Sequence, residues 1–152
     1  MALGAHRAGF ESVLALELEK NSCSTLRLNA STLFSSDLSR VHEGDVREFK
    51  SERLPDGFDV LLGGPPCQPF SIGGQKRGFD DSRDLFPEYI RLLAASRPKA
   101  FLIENVKGLT AKRFQDYLNF IHLQFAHADC PPKRGTTWED HYKRLLRLSA
   151  SK

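Results

Sequence analysis

The sequence predicts an α/β fold in which a parallel sheet has helices on both faces. Short apolar runs with the length of buried strands alternate with longer segments whose apolar residues recur at helical spacing. Short apolar strands that alternate with helices are typical of such a sheet. The chain has 152 residues, of which 40% are apolar, so it is long enough to form one core.

The first half of the chain contains three of the predicted strands. The predicted elements are a buried strand at residues 13–16, a helix at 20–29, a short strand ending at Asp45-Val46, and a strand at 58–62. We find no internal repeat and no low-complexity segment in this half or in the next.

The second half continues the alternation. A helix is predicted over residues 84–96, where Arg97-Pro98 ends it, and a buried strand follows at residues 100–103. A helix over residues 111–125 carries apolar side chains at helical spacing, namely Phe114, Leu118, Ile121 and Phe125. We therefore expect one α/β domain over residues 1–126.

Residues 127–152 break the pattern and form a basic tail of unpredicted structure. Residues 130–135 are typical of a loop, and residues 141–148 could form a short basic helix. The tail holds six basic and three acidic residues, which accounts for the whole net charge of +3, since residues 1–126 hold 16 of each sign. Charge alone thus gives no argument that the body of the chain binds DNA.

Composition excludes several classes of protein. No apolar run has the length of a membrane span, and the N-terminus lacks the apolar core of a signal peptide. The three cysteines are widely spaced and form no Cys-x-x-Cys pair, so we expect a reducing compartment and no metal site. We expect Cys23 to be a small buried hydrophobe, and Cys130 has no assigned role.

Polar groups follow four of the predicted strands. These groups are Glu17, Asp45, the segment Gly64-Pro65-Pro66-Cys67 and the pair Glu104-Asn105. In open α/β sheets, ligands bind beyond the carboxyl ends of the strands. A single acid at such a position is usually a solvated loop residue, but four sites together predict one functional edge of one sheet.

The most specific string in the chain is Gly63-Gly64-Pro65-Pro66-Cys67-Gln68-Pro69-Phe70-Ser71, which follows an apolar strand. The prolines restrict the backbone on both sides of Cys67 and predict a stiff loop that presents one thiol. A thiol near its ordinary pKa is already a good nucleophile. The loop resembles the catalytic loop of the cytosine-5 DNA methyltransferases.

Further motifs of that family follow in the family's order. Residues 3–10 resemble the end of its first motif, Glu17-Leu18-Glu19 its second, Gly44-Asp45-Val46 its third, residues 81–86 its fifth, and Glu104-Asn105-Val106 its sixth. The resemblance covers about residues 2–123 and is most specific between Leu61 and Leu109.

The resemblance implies a Rossmann-like domain that takes S-adenosylmethionine as cofactor and double-stranded DNA as substrate. The target cytosine must leave the stack to be reached. Cys67 would attack C6 of that base and Glu104 would engage N3. The cofactor would lie against Glu17, Leu18, Asp45, Val46, Pro66 and Leu85, with Glu19 competing for the role of Glu17, and Gln68 and Ser71 would contact the DNA backbone.

The resemblance also implies that residues 1–126 form a partial methyltransferase catalytic domain. The family's glycine-rich loop and its preceding strand, expected at the centre of the sheet, would lie before Met1, and no Gln-x-Arg-x-Arg string follows Phe125. An unpaired gap in a sheet exposes backbone groups and apolar faces. We therefore expect an unstable chain or one that needs a complementing methyltransferase chain, in the bacterial cytoplasm, near the nucleoid, and within a restriction-modification system.

Three alternatives stay open beside the active enzyme. The chain could be an inactive remnant or one half of a split enzyme, which the sequence favours for this polypeptide by itself. A nucleotide-binding module or small oxidoreductase would carry a Gly-x-Gly-x-x-Gly turn, and the sequence has none. A nucleic-acid adaptor acting through the tail would bind DNA in a salt-sensitive manner without Cys67.

Overall fold

The computed structural model describes residues 1–66, 84–133 and 135–151. The chain divides into two compact units. One comprises Met1–Leu62 with Pro98–Ala100, and the other comprises Gly63–Arg97 with Phe101–Lys152. Each unit has a hydrophobic core of its own.

The first unit is built around a short parallel strand pair. Its elements are α1 (Ala2–Arg7), β1 (Ala15–Glu17), α2 (Lys20–Leu28), α3 (Ala30–Leu33) and β2 (Val41–Glu43). β1 and β2 run parallel with Glu17 opposite Glu43, and the Gly44 N–H donates to the Glu17 carbonyl at 2.9 Å. The strands therefore end together, which places the residues after each strand side by side.

A small core packs α2 and α3 near this strand pair. Its buried members are Cys23, Ala30, Leu33, Phe34 and Val41. The expectation that Cys23 is a buried hydrophobe is confirmed, since its side chain is fully buried and burial raises the pKa of its thiol.

A second strand pair consists of β3 (Val60–Gly63) and β4 (Ala100–Ile103). The Ala100 N–H donates to the Asp59 carbonyl, and the Glu104 N–H donates to the Gly63 carbonyl, each at 3.0 Å. The two bonds advance by the same number of residues on both strands, so the strands are parallel. Their carboxyl ends also lie together.

The predicted strands are confirmed, each within about two residues of its expected end, but their assembly differs from the prediction. We expected one sheet. In the described part of the chain, β1 pairs only with β2 and β3 only with β4. Strand propensity is local, whereas sheet assembly needs a neighbour for each edge, and no described strand supplies one for the second edge of β1 or of β3.

The prediction of buried strands at residues 13–16 and 100–103 is wrong as to burial, since Val13 is 38% exposed and residues 14–16 are only half-buried. Phe101 is 43% and Leu102 is 59% exposed. The Phe101 ring stacks on Phe125, with centroids 4.9 Å apart, but Leu102 has no such cover. A continuous apolar run predicts helices on both faces of a strand, and the described helices do not cover both faces of β4.

The second unit contains three longer helices, α4 (Phe86–Ser96), α5 (Gln115–Ala126) and α6 (Trp138–Ala150). Their shared core consists of Phe86, Leu109, Tyr117, Phe120, Ile121 and Leu145. α4 starts two residues later than predicted, because the Asp84 carboxylate accepts the Phe86 N–H at 3.0 Å and acts as a local cap. None of the helices in the described ranges combines the length and hydropathy needed to cross a bilayer.

The α6 helix is longer than the predicted segment 141–148 and packs against α5. At its start the Thr137 hydroxyl accepts the Asp140 N–H at 3.2 Å and donates to the Asp140 carboxylate at 3.0 Å. The Phe120 ring of α5 contacts the rings of three α6 side chains, Trp138, His141 and Tyr142, at centroid distances of 5.7 to 5.9 Å. The residues after 126 thus include a helix with a buried face.

His141 lies on the buried side of α6, and its Nδ1 has no hydrogen-bond partner among the residues that the structure describes. Burial, assisted by the nearby Arg144 charge, lowers the pKa of His141. Because the unfolded chain binds a proton at a higher pH than the folded chain does, the free energy of unfolding falls as the pH drops below about 6.5.

We expect His141→Leu to weaken this acid sensitivity. At pH 7 the variant should unfold within about 1.5 kcal/mol of the wild type, because the volume change is small and an unpaired polar atom is removed. Urea unfolding at pH 7 and pH 5 measures the effect. His122→Gln is the control, since His122 is exposed on α5. Equal losses at pH 5 in the wild type and His141→Leu would contradict the assignment.

Candidate functional site

The ends of β1 and β2 bring four sequence-predicted residues together in the first unit. Glu17 is the last residue of β1 and Leu18 follows it, while Asp45 and Val46 lie two and three residues beyond β2. The Gly44 N–H bond to Glu17 holds the two ends in register. Two carboxylates therefore flank one strand-end position.

The Leu18 side chain is 66% exposed beside this pair. Glu19 caps α2, since its carboxylate accepts the Asn21 N–H at 3.3 Å. The Glu17 carboxylate accepts the Glu19 N–H at 2.8 Å through Oε1. Of the two acids that compete for one role in the predicted site, Glu17 lies at the end of β1, whereas Glu19 caps α2.

Asp45 is held by its neighbour Arg47. The Asp45 carboxylate accepts hydrogen bonds from the Arg47 backbone N–H and from the Arg47 guanidinium. These bonds lower the pKa of Asp45 from 3.8 to about 2, so the group is ionised at neutral pH. The structure thus places an ionised carboxylate, fixed in orientation by Arg47, just beyond the end of β2.

These features suit a nucleoside. Carboxylates at strand ends accept bonds from ribose hydroxyls and from an amino group, and an exposed apolar side chain offers a surface for a flat ring. The arrangement in the first unit has both, with Glu17 and Asp45 as acceptors and Leu18 as the apolar surface.

The ends of β3 and β4 form a second candidate site. Glu104 follows β4 directly, its backbone N–H donates to Gly63, and its side chain is exposed. Pro65 is buried and Pro66 is exposed, two and three residues beyond β3. The carboxyl group of Glu104 thus stands at the same end of the strand pair as the start of the Pro-Pro-Cys loop.

Asn105 ties these two segments together. Its Nδ2 donates to the Pro65 carbonyl at 2.9 Å, and its Oδ1 accepts the Val106 N–H at 2.8 Å. The asparagine therefore satisfies a backbone carbonyl in the first turn of the loop and a backbone N–H after β4. Asn105 therefore joins Pro65, two residues beyond β3, to the segment that follows β4, a contact that the motif alone did not reveal.

Tyr89 of α4 packs against the same strand pair. Its hydroxyl donates to the Leu102 carbonyl at 3.3 Å, and a side chain at Gly63 would collide with its ring. Burial raises the pKa of Tyr89 to about 12, so the phenol remains a neutral donor. The glycine at position 63 is thus explained by close packing against α4.

Leu85, predicted to border the cofactor, lies half-buried at the start of α4. Beside it, Asp84 accepts the Tyr117 hydroxyl at 2.6 Å, which fixes this end of α4 to α5. Sequence reasoning assigned no role to Tyr89, Tyr117 or Arg47. Only helical spacing of aromatic residues signalled the first two, and that spacing equally predicts ordinary core residues.

Cys67, Gln68 and Ser71 lie outside the described residues, as do residues 81–83 of the motif at residues 81–86. Among the residues that the structure describes, no group of three or more His, Cys, Asp or Glu side chains could hold a metal ion.

Comparison with known proteins gives a family match. The family model for C-5 cytosine-specific DNA methylases matches residues 1–129. The type II methyltransferase M.NgoMIV of Neisseria gonorrhoeae is 50% identical over 125 residues, which is 82% of this chain and 38% of that protein. M.FnuDI of Fusobacterium nucleatum is 42% identical over 127 residues, or 83% and 35% of the two chains.

A second Neisseria gonorrhoeae protein, the type II methyltransferase M.NgoPII, is 43% identical over 112 residues, which is 73% of this chain and 31% of that protein. The chain therefore spans about a third of the length of these curated relatives. The matched segment contains every described strand, α1 to α5 and both candidate sites, whereas α6 lies beyond residue 129.

We expect Gly63→Ala to destabilise the chain by about 1 to 3 kcal/mol, because the new methyl group overpacks the Tyr89 ring. Thermal unfolding measures the change. Gly4→Ala is the matched control, since nothing lies within 4 Å of the added methyl group there, and that variant should be neutral or slightly more stable. Equal stability of both variants would refute the close packing of β3 against α4.

Proposed function

Because the chain belongs to the family of C-5 cytosine-specific DNA methylases, we propose that it methylates C5 of cytosine in double-stranded DNA as the N-terminal catalytic part of a methyltransferase. The observation that carries the proposal is the family match over residues 1–129, which includes the Pro-Pro-Cys-Gln loop and Glu104. The exposed Glu104 carboxyl group beside the start of that loop supports it.

In this proposal Cys67 supplies the nucleophile. Its thiolate adds to C6 of the extruded cytosine, and Glu104 engages N3 to stabilise the charge that develops on the ring. The added electron density makes C5 nucleophilic, so that C5 can accept a methyl group. Loss of the C5 proton then returns an electron pair to the ring, and Cys67 leaves as the double bond reforms.

The cofactor in this proposal is S-adenosylmethionine, whose sulfonium group supplies the methyl group when it is bound. Glu17 would accept bonds from the ribose hydroxyls, and Asp45 would accept one from the adenine amino group. Leu18 and Val46 would contact the ring. The exposure of Leu18 between two strand-end carboxylates supports this assignment. Pro66 and Leu85 would border the cofactor, and Gln68 and Ser71 would contact the DNA backbone.

We further propose that activity requires a part of the methyltransferase beyond these 152 residues. Two observations support this. The chain spans about a third of its relatives' length, and the described strands form two separate pairs with unpaired edges on β1 and β3. A complementing segment, on the same or a second chain, would supply the central strand and the glycine-rich loop. We place the protein in the bacterial cytoplasm, near the nucleoid.

The first test is transfer of a labelled methyl group from S-adenosylmethionine to duplex DNA. It uses the chain alone and a chimera in which residues 1–129 replace the matched segment of M.NgoMIV. We expect the chimera to transfer methyl groups and its Cys67→Ser variant to show none. Glu104→Gln should lower the rate by about 10² to 10³-fold, since it removes the proton donor to N3.

Each outcome has a distinct meaning. An active chimera with an inactive isolated chain supports one part of a split or longer enzyme. An inactive chimera whose fold is confirmed by circular dichroism would sink the catalytic proposal and leave an inactive remnant. Unchanged transfer by Cys67→Ser would reject Cys67 as the nucleophile.

The cofactor assignment has its own test, which does not depend on turnover. Equilibrium dialysis of labelled S-adenosylmethionine against the chimera should show weaker binding for Glu17→Gln, by about tenfold, which is the cost of losing one charged acceptor. Glu19→Gln removes the same charge one position from Leu18 and should bind normally. Equal losses in both variants would contradict the assignment of Glu17.

A further inference from the structure

The α6 helix carries an exposed basic surface that the candidate site does not use. Helical spacing divides the helix into a buried side, with His141 and Leu145, and an exposed side, with Lys143 and Arg147. The two cations are four residues apart, so they lie one above the other about one turn along the helix. We call Lys143 and Arg147 the α6 basic pair.

The α6 basic pair has no carboxylate partner among the residues that the structure describes. Five arginines and Lys99 form salt bridges at 4 Å or less, whereas neither member of the pair has one with any residue that the structure describes. The acids of this helix, Glu139 and Asp140, lie in its first turn, and Asp140 bonds to Thr137. The pair is therefore available to an external anion.

The packing of α6 against α5 holds the α6 basic pair in a fixed position. Leu145 is fully buried in the core shared with α5, and Phe120 contacts three aromatic rings of α6. Arg144 donates to the Pro131 carbonyl at 3.1 Å and ties the helix to the loop before it. A docked helix holds its exposed cations on one side.

We propose that the α6 basic pair contacts the phosphodiester backbone of double-stranded DNA, an inference that rests on the proposed DNA substrate. The net charge of the whole chain comes from residues 127–152, so the electrostatic attraction for a polyanion is concentrated where α6 lies. Contacts of this kind position a protein on DNA without reading sequence. Since α6 lies outside the matched residues 1–129, the family match assigns no role to this helix.

The test is fluorescence anisotropy of a labelled 30-base-pair duplex with the 152-residue chain at several salt concentrations. We expect Lys143→Gln/Arg147→Gln to weaken binding about tenfold at low salt. We also expect it to reduce the slope of log K against log salt by roughly two, since two phosphate contacts are lost. The control variant, Lys20→Gln/Lys50→Gln, removes the same charge from exposed positions in the first unit.

A second variant distinguishes DNA binding by the docked helix from DNA binding by an undocked segment of the same charge. Leu145→Ala keeps every charge but weakens docking of α6, which the emission of Trp138, the chain's single tryptophan, reports. We expect DNA binding to fall as the Trp138 emission shifts to longer wavelength. If the undocked helix binds DNA as strongly as the docked one, the inference that docking positions the α6 basic pair is wrong.

The other possible outcomes also test whether the α6 basic pair contacts DNA. Equal weakening by the control variant would assign the effect to net charge and overturn the inference, as would binding that the α6 substitutions leave unchanged. Preference for vesicles of anionic phospholipid over DNA would overturn it in favour of a membrane surface. DNA binding through α6 by a chimera that transfers no methyl group would uphold this inference while the catalytic proposal fails.

Discussion

The parallel pairing of β3 with β4 is the constraint on which the candidate catalytic edge depends. The bond from the Glu104 N–H to Gly63 fixes the offset of the two strands, so that Asn105 comes within reach of the Pro65 carbonyl. A neutral hydrogen bond contributes only about 1 kcal/mol net, and a two-stranded sheet is marginal by itself. The pairing therefore needs packing support.

That support comes from α4. Tyr89 is buried against Gly63 and donates to Leu102, and full burial of a large side chain is worth about 1.5 to 3 kcal/mol. The tyrosine therefore contributes more than either hydrogen bond at the strand ends. The same contact explains why a glycine, with no side chain to displace the ring, occupies the end of β3.

In the docking of α6, too, apolar packing contributes more than hydrogen bonding. Its Thr137 cap contributes about 1 kcal/mol, whereas Leu145 and the rings around Phe120 bury several large apolar groups. Packing therefore holds the helix in place, and the buried His141 makes that packing sensitive to acid. The residues beyond the family match are thus integrated into the core of the second unit while their cations remain exposed.

The sequence by itself determined the strands, the main helices and the family, because these follow from apolar spacing and from a Pro-Pro-Cys-Gln string too specific to arise by chance. It also singled out Glu17, Asp45 and Glu104, since strand ends are local features. Tertiary structure alone decided that the strands form two pairs, that Leu102 is exposed, and that Tyr89, Asn105 and Arg47 support the site. Each of these depends on a partner distant in the chain or on how a side chain points, and local propensity carries no information about either.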